Sequence, residues 1–415
     1  MTANNKNIFL KVTKCCKIFY LCYSKIILFL LFAVIIIFFT LIKLNFINLD
    51  FLKTEKTLLK DKNISNNDLF IEDCISSNFY APHGKILDIG EDKYLIIGGI
   101  NNLDYNTREK RIHIELYDNK SKKIIKVSND LFYSLGGVIQ LDNGNILIET
   151  GDKDGNKSYF VVLDRNTLNI KQKIWLKDLF GEINSYEFVR CSALNNNKIL
   201  CINGHNTNNH HLKIYDTDNQ TLQFGPKYHP NRIGGISMLN LDNDNFIIVG
   251  GYFEKEEDKT LIEICSINEN KCKIQKSKVS GERKSPLLLK TQDNKILIID
   301  LYNRNQVITI ELFDPKNDTI EVIGIIPKNE IEFRTYTLLK NDNILITGGE
   351  KGILRVKAVN DAYIFDIKKR ELKKIENKMV YPRSSQLTKL LDNGDVLICG
   401  GYKGLNKCER YITKK

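Results

Sequence analysis

The chain has 415 residues, of which 42% are hydrophobic, so it holds enough apolar material for one large repeat domain or two ordinary domains. Its formal net charge is +11, but five of its 61 basic residues and none of its 50 acidic residues fall within residues 1–25. The rest of the chain carries a weak basic excess, spread along a long sequence. Because nucleic-acid binding requires a concentrated basic stripe, this distribution excludes nucleic acid from the expected partners.

An apolar segment follows the basic N-terminus. Residues 26–42 read IILFLLFAVIIIFFTLI, and these 17 residues would span roughly 26 Å as a helix, close to the thickness of a bilayer's hydrocarbon core. Lys25 and Lys43 flank the run, where their ammonium groups can reach the two interfaces. A cleaved signal peptide is the alternative, but the run is long for one and no small-x-small cleavage site follows it.

We therefore predict an uncleaved transmembrane signal-anchor helix over residues 26–44. Lysines before a span favour the cytoplasmic side, and the charges just after this span nearly cancel. The sequence thus predicts a single-pass membrane protein with a cytoplasmic basic segment (residues 1–25), the anchor, a linker (residues 45–67) and a periplasmic or extracellular domain (residues 68–415).

A repeat of about fifty residues dominates that domain. In each copy an Asn/Asp/Gly-rich turn, which suits a tight hairpin, precedes an apolar strand that ends in a Gly-Gly-like pair. The last positions of the copies are 52, 53, 47, 50, 48 and 52 residues apart. Glycine at these points predicts a close approach of two backbones. The copies are EDKYLIIGG (Glu91–Gly99), DNGNILIETG (Asp142–Gly151), NNNKILCING (Asn195–Gly204), DNDNFIIVGG (Asp242–Gly251), QDNKILIIDL (Gln292–Leu301), NDNILITGG (Asn341–Gly349) and DNGDVLICGG (Asp392–Gly401).

A second hairpin follows the first, with an Asp or Asn in its turn and an aliphatic residue six positions later, as in Asp118/Ile124. Two hairpins give four antiparallel strands, so seven repeats predict an all-β, seven-bladed β-propeller. The seventh repeat lacks a fourth strand, and the apolar stretch 69–71 lies just ahead of the first blade. We predict that this stretch completes the last blade and closes the ring, because closure removes a free sheet edge.

Two features of the repeat carry a resemblance to a known family. They are the glycine pairs, as at Gly98-Gly99 and Gly400-Gly401, and the strands ending in Tyr-Asp or Phe-Asp, as at Tyr117-Asp118. In these features and in its period, the segment 68–415 resembles the kelch-repeat propellers, the galactose-oxidase-like group. It departs from them where an aliphatic residue replaces the Trp that usually follows Tyr-Asp, and at Asp300-Leu301, which replaces one glycine pair.

Six cysteines of the predicted domain form local pairs placed symmetrically about strand turns: Cys191/Cys201, Cys265/Cys272 and Cys399/Cys408. Residues equidistant from a hairpin turn lie opposite each other, and at a non-hydrogen-bonded site their Cα atoms come within disulfide reach. We predict three cross-strand disulfides, consistent with an oxidising compartment. Buried free thiols are the alternative.

Five arginines fall at or near the start of the innermost strands, where a propeller has its central funnel. Arg232, Arg283 and Arg383 lie 19, 18 and 18 residues before the end of their repeat's glycine pair, and Arg190 and Arg334 lie 14 and 15 before it. Guanidinium groups offer paired donors for carboxylate, phosphate or sulfate, so we predict a funnel site for an anionic or polar ligand. The alternative is that these arginines bind backbone carbonyls of neighbouring blades.

His83 and Tyr133 enter the first two blades and join this predicted funnel. His205, His210, His211 and His229 cluster in two neighbouring loops, a weak candidate metal site that competes with a merely solvated Asn-rich loop. Tyr and His in such a funnel resemble copper-radical carbohydrate oxidases, but the required set of two His, two Tyr and one Cys cannot be placed. We therefore expect no cofactor.

The sequence leaves two classes of function open. The first is a monomeric, membrane-tethered binding or scaffolding propeller that recognises a protein or glycan outside the cytoplasm. The second, implied by the kelch resemblance, is a carbohydrate-active enzyme such as a galactose-oxidase-like oxidase or a sialic-acid isomerase. The first is favoured because the sequence contains no recognisable catalytic motif.

Overall fold

The computed structural model describes residues 68–75, 84–100, 111–132, 137–151, 158–181, 189–203, 210–230, 232–252, 255–301, 307–327, 331–351, 357–401 and 407–413. The predicted cytoplasmic segment, anchor and linker (residues 1–67) lie outside the described residues. Within the described ranges, no helix is both long and apolar enough to cross a bilayer.

Seven four-stranded antiparallel blades form a propeller, as predicted. The first strand of the chain, β1 (Asp68–Ile75), belongs to the last blade. From the innermost to the outermost strand, blade 1 contains β2 (Lys85–Gly90), β3 (Lys93–Ile100), β4 (Arg111–Asp118) and β5 (Lys123–Phe132). Blade 2 contains β6 (Val138–Gln140), β7 (Ile146–Gly151), β8 (Ser158–Leu163) and β9 (Ile170–Trp175), followed by the helix α1 (Leu176–Phe180).

The next three blades repeat this order. Blade 3 contains β10 (Val189–Leu194), β11 (Lys198–Asn203), β12 (His211–Asp216) and β13 (Thr221–Lys227). Blade 4 contains β14 (Ile233–Asn240), β15 (Asn245–Tyr252), β16 (Leu261–Ser266) and β17 (Lys271–Lys278), with a 3₁₀ turn at Glu256–Asp258. Blade 5 contains β18 (Leu287–Lys290), β19 (Ile296–Ile299), β20 (Val307–Asp314) and β21 (Thr319–Pro327).

The last two blades add one small sheet and the ring closure. Blade 6 contains β23 (Thr335–Leu338), β24 (Ile344–Thr347), β27 (Ala362–Asp366) and β28 (Glu371–Lys374), beside a three-stranded sheet of β22 (Ile331–Glu332), β25 (Glu350–Lys351) and β26 (Lys357–Ala358). Blade 7 contains β29 (Leu387–Leu390), β30 (Val396–Cys399), β31 (Lys407–Thr413) and β1.

Apolar layers between the blades form the core. The layer between blades 5 and 6, for example, packs Leu297 and Ile299 against Ile344 and Ile346, all completely buried. Leu372 of that layer occupies the position where kelch repeats usually carry Trp. An aliphatic side chain therefore fills the layer, which explains how the fold forms without the aromatic residue.

The three predicted disulfides are confirmed. Cys191–Cys201, Cys265–Cys272 and Cys399–Cys408 are each directly opposed in an antiparallel strand pair. Their Cα atoms lie 4.1, 3.9 and 4.1 Å apart. Each bond therefore links two neighbouring strands of one blade and fixes their register.

The ring closes as predicted, through β1 on the outer edge of β31, with Leu69 opposite Ile412 and Ile71 opposite Arg410. A buried polar network lies at this closure. The Asp73 carboxylate on β1 accepts hydrogen bonds from Arg410 Nη2 at 2.9 Å and from the Tyr117 hydroxyl of blade 1 at 2.8 Å. The same Arg410 nitrogen donates to Asn119 Oδ1 at 2.6 Å. One carboxylate from the N-terminal strand thus links blades 7 and 1.

We expect Asp73→Asn to lower the free energy of unfolding by about 3 kcal/mol, because it removes one charge from an ion pair whose partners are 4% and 5% exposed. Glu72→Gln is the matched control, since Glu72 lies next to Asp73 and pairs at 3.0 Å with Lys407, but is half exposed. Its loss should leave the urea midpoint close to that of the parent, because an exposed ion pair is screened by solvent. Urea unfolding of both variants measures this, and equal losses would contradict a closure held by Asp73.

Candidate functional site

The candidate site lies on one face of the propeller, where the second strand of each blade ends and the third begins. We call it the glycine face, because the glycine pairs Gly250-Gly251, Gly348-Gly349 and Gly400-Gly401 lie there, all with positive φ. A Cβ added at Gly250 would lie 2.8 Å from the Arg283 carbonyl oxygen of the next blade. The predicted close approach of two backbones is therefore present.

That approach is a hydrogen bond between blades. Gly251 N–H of blade 4 donates to the Arg283 carbonyl at 3.0 Å, and Gly349 N–H of blade 6 donates to the Arg383 carbonyl at 2.9 Å. Both accepting carbonyls belong to predicted funnel arginines. The segment that leads into an innermost strand is thus attached through its backbone to the preceding blade.

The side chains of these arginines turn into their own blade. Arg232 is 3% exposed, donates to the Gly250 carbonyl at 2.7 Å and lies 2.9 Å from a Glu263 carboxylate oxygen. Arg383 is completely buried, donates to the Gly400 carbonyl at 2.9 Å and pairs with Glu409 at 3.0 Å. Burial raises the pKa of Glu409, and the Arg383 charge opposes that rise.

Arg283 has the most extensive set of partners. Its Nη2 donates to Glu311 at 2.7 Å, to the Ser280 hydroxyl at 2.8 Å and to the Thr309 hydroxyl at 2.9 Å. Its Nη1 lies 3.4 Å from the carboxylate of Asp300, the residue that replaces the first glycine of the pair in blade 5. Blade 5 therefore substitutes a side-chain ion pair for the backbone contact that glycine permits elsewhere.

The glutamates occupy one equivalent position on the third strand. Glu263, Glu311 and Glu409 each lie opposite an isoleucine two residues before the first position of the glycine pair. We call the resulting pairs Arg232–Glu263, Arg283–Glu311 and Arg383–Glu409 the arginine clamps. Glu115 holds the same position in blade 1, where it lies 3.0 Å from His113 in a buried pair.

Blade 6 breaks the pattern. Tyr363 stands at the glutamate position, opposite Ile346, and the Arg334 guanidinium lies over its ring at 5.0 Å. Arg334 is 9% exposed and directly precedes β23, which begins at Thr335. In this blade an arginine three residues further along the chain than the clamp arginines thus packs on an aromatic ring at the glutamate position.

Arg190 differs from the other arginines because it lies within β10. Its Nη1 donates to the carbonyl of the preceding residue, Val189, at 2.8 Å. It also lies near Glu149 of blade 2, which is 5% exposed. Burial raises the pKa of Glu149 to about 7, with the Arg190 charge and the Gly137 N–H opposing the rise. Glu149 is a titratable group of this region that the sequence analysis missed.

The structure brings Arg232, Arg283 and Arg383 to equivalent places on the glycine face. Arg334 lies about three residues further along its segment, directly before Thr335, which pairs with Thr347. The contacts given above join their guanidinium groups to residues of their own blade. Their role in ligand binding stays a prediction. His83, Tyr133 and His205 lie outside the described residues.

The three described histidines of the candidate metal cluster have different contacts. His211 Nδ1 lies 2.8 Å from the Gly225 carbonyl, His210 packs edge-on against Tyr228, and His229 lies 3.7 Å from Asp258. Within the described ranges, no three His, Cys, Asp or Glu side chains come together to form a metal site. The cluster thus gains no support from its described members.

Comparison with known proteins adds a fold relationship. No family model and no curated protein sequence matches the chain. A solved structure of a fungal alcohol oxidase of the AA5 family, in complex with copper, matches with a TM-score of 0.57 and 11% sequence identity, over 84% of this chain and 76% of that chain. At this identity the similarity shows the fold alone, and it supports the predicted β-propeller.

Glu149 should make stability depend on pH. The pKa of its carboxyl is raised on folding from 4.5 to about 7. The contribution of the protonated carboxyl to folding stability is therefore fully present below about pH 4.5 and is lost as pH rises through about 7. We expect Glu149→Gln to be more stable than the parent at pH 8, by up to about 3 kcal/mol, and similar to it at pH 4.5. Urea unfolding across this range tests it, and a pH-independent difference would contradict it.

Proposed function

We propose that the chain is a membrane-tethered, extracytoplasmic binding propeller that recognises a protein or glycan partner on its glycine face. The observation that carries the proposal is the set of arginine clamps. They hold the backbone at the places where the chain leaves the second strand and enters the innermost strand. Binding residues are commonly carried by loops that a rigid scaffold positions.

The clamps make that scaffold rigid in two directions. Within a blade, Arg383 connects the start of the innermost strand to Glu409 on the third strand. Between blades, the Arg383 carbonyl accepts the Gly349 N–H. A loop anchored on such a frame loses less conformational freedom on binding, which favours affinity.

The connections that follow the glycine pairs differ strongly in length and sequence. Residues 101–110 read NNLDYNTREK, whereas residues 302–306 read YNRNQ. The connections after the second strands therefore carry different side chains in different blades. This is expected of a surface that recognises one asymmetric partner.

The disulfides support the proposed compartment. Disulfides persist in secreted and periplasmic proteins, whereas cytosolic thiols are kept reduced. Three disulfides within one domain therefore favour an extracytoplasmic propeller, with residues 26–44 as the proposed tether.

A carbohydrate-active enzyme is the second candidate, favoured by the structural similarity to the copper-containing fungal oxidase. The donor set does not fit such a centre among the described side chains, because no three metal-ligating groups come together there. We therefore derive no catalytic step for it. The test is to treat the chain with copper and to measure hydrogen peroxide with a panel of sugars and alcohols. Peroxide formation would favour the enzyme over the binding propeller.

Site-specific cross-linking in the native host tests the binding face. A photo-reactive amino acid at Lys351, exposed on the glycine face, is compared with one at Lys369, exposed in the turn on the opposite face of the same blade. We expect a discrete cross-linked species from position 351 and none from position 369. Equal labelling at both positions, or labelling at 369 alone, would contradict the proposal.

Thiol trapping at lysis of the same cells tests the compartment. We expect the six paired cysteines to resist alkylation until a reductant is added. Alkylation of these six without a reductant would place the propeller in a reducing compartment and contradict the proposal.

A further inference from the structure

The three arginine clamps compensate their own charge. Arg232, Arg283 and Arg383 each have a nitrogen within 3.0 Å of a buried glutamate oxygen. Arg334 differs, because the third strand of its blade carries Tyr363 where the clamps carry glutamate. Arg334 therefore lacks the carboxylate that a clamp supplies.

The guanidinium of Arg334 has no polar partner among the described residues, where it forms no ion pair and donates no hydrogen bond. Its contact is the Tyr363 ring, whose centroid lies 5.0 Å from the guanidinium carbon. The Nε atom is fully buried, whereas the two Nη nitrogens keep some contact with solvent. Arg334 is thus a mostly buried cation that a ligand can still reach.

A second donor without a partner lies two residues further along the chain. Tyr336 is buried, and its hydroxyl makes no hydrogen bond among the described residues. Tyr336 and Tyr363 both lie directly opposite Ile346, so they project from the same side of blade 6. Burial raises the pKa of Tyr336 and the Arg334 charge opposes that rise, which agrees with a short distance between the two side chains.

Unpaired groups of this kind are costly inside a protein. Nearly all buried polar groups have a partner, and an unpaired buried charge is strongly disfavoured. A water molecule satisfies a hydroxyl, whereas a guanidinium charge is compensated by an anion. Two described carboxylates of the region have other partners, since Asp300 pairs with Arg283 at 3.4 Å and Glu350 accepts a hydrogen bond from the Ser384 hydroxyl. An anion from outside the chain would therefore stabilise this side of blade 6.

The backbone on both sides of Arg334 is held in place. The preceding Phe333 carbonyl accepts the N–H of Ser385, on the segment that enters blade 7, at 3.0 Å. The following Thr335 pairs with Thr347 of the neighbouring strand. A guanidinium carried by a fixed backbone loses little conformational freedom when a ligand binds, which favours affinity.

We propose that Arg334 binds a carboxylate group of the partner at the glycine face, with the Tyr363 ring packed against the guanidinium. A carboxylate is the group that the clamp arginines of this face bind, and its two oxygens match two parallel donors of one guanidinium. The proposal rests on the proposed function, and it names the chemical group that the partner presents there.

Acetate is the probe for this group, and inorganic phosphate is the competing anion. The full chain, purified in a mild non-ionic detergent, is titrated calorimetrically with each anion at constant ionic strength. We expect saturable acetate binding, which Arg334→Gln weakens by about tenfold or more. Arg334→Lys should bind with intermediate affinity, because it keeps the charge but loses the paired donors. Tighter binding of phosphate than of acetate would contradict the carboxylate assignment.

A change at Tyr363 gives a second test. Tyr363→Glu places a carboxylate where the clamps carry one, so it should compete with acetate and weaken its binding by about tenfold or more. Tyr363→Phe keeps the ring without a carboxylate and should bind acetate within about twofold of the parent. Arg370→Gln is the matched arginine control, since Arg370 of the same blade is half exposed and already pairs with Glu321 at 2.7 Å. It should leave acetate binding unchanged.

Absence of saturable acetate binding by the parent would overturn the proposal. Binding retained by Arg334→Gln, in a chain whose circular dichroism spectrum is unchanged, would also overturn it. Where Arg334→Gln unfolds the chain, the comparison between Tyr363→Glu and Tyr363→Phe decides, and equal acetate binding by these two variants would count against the site.

The outcome is separable from the proposed function. Position 351 pairs with Ile331, on the short strand just ahead of Arg334. Cross-linking from position 351 without acetate binding would overturn the Arg334 site alone. Saturable, Arg334-dependent acetate binding without cross-linking from position 351 would support the site and count against the partner-binding face.

Discussion

The buried arginine–glutamate pair is the interaction on which the glycine face depends. Taking two charges out of water is costly, and the cost is recovered only when geometry is good and the remaining hydrogen-bonding groups are satisfied. Arg383 meets this condition in part. It is completely buried, its Nη1 donates to the Gly400 and Lys407 carbonyls and its Nε lies 3.0 Å from Glu409, but its Nη2 makes no hydrogen bond among the described residues. The glycine pair, the start of the innermost strand and the third strand are thereby joined in one blade.

The two irregular blades show how the pattern tolerates change. Blade 5 places Asp300 where glycine is expected, and this carboxylate adds a second negative charge beside Arg283. Blade 6 has no glutamate for Arg334. Burial raises the pKa of Tyr336, the Arg334 charge opposes that rise and Asp300 adds to it, so all three groups lie near one another.

The sequence predicted features that depend on local order along the chain. Period, glycine pairs and turn residues are local, so blade number, the four-stranded sheets and the completion of blade 7 by residues 69–71 could be predicted. The disulfides could be predicted for the same reason, because symmetric placement about a turn fixes which residues are opposed. Arginines at the start of innermost strands were located from the sequence, but their glutamate partners were not, because these lie 26 to 31 residues further along the chain.

A sequence signal for those partners existed. Glu115, Glu263 and Glu311 each stand three residues before the polar residue that ends a mostly apolar strand. A charge at a core-facing position calls for a buried partner.

A double-mutant cycle on one clamp tests the account most directly. Arg383→Met and Glu409→Gln, alone and together, are compared by urea unfolding with Arg370→Met and Glu321→Gln, which dissect a half-exposed pair of 2.7 Å. The account requires a coupling energy of about 2 kcal/mol or more for the clamp and less than about 1 kcal/mol for the exposed pair. Additive losses at Arg383 and Glu409 would show that the clamp does not hold the glycine face together.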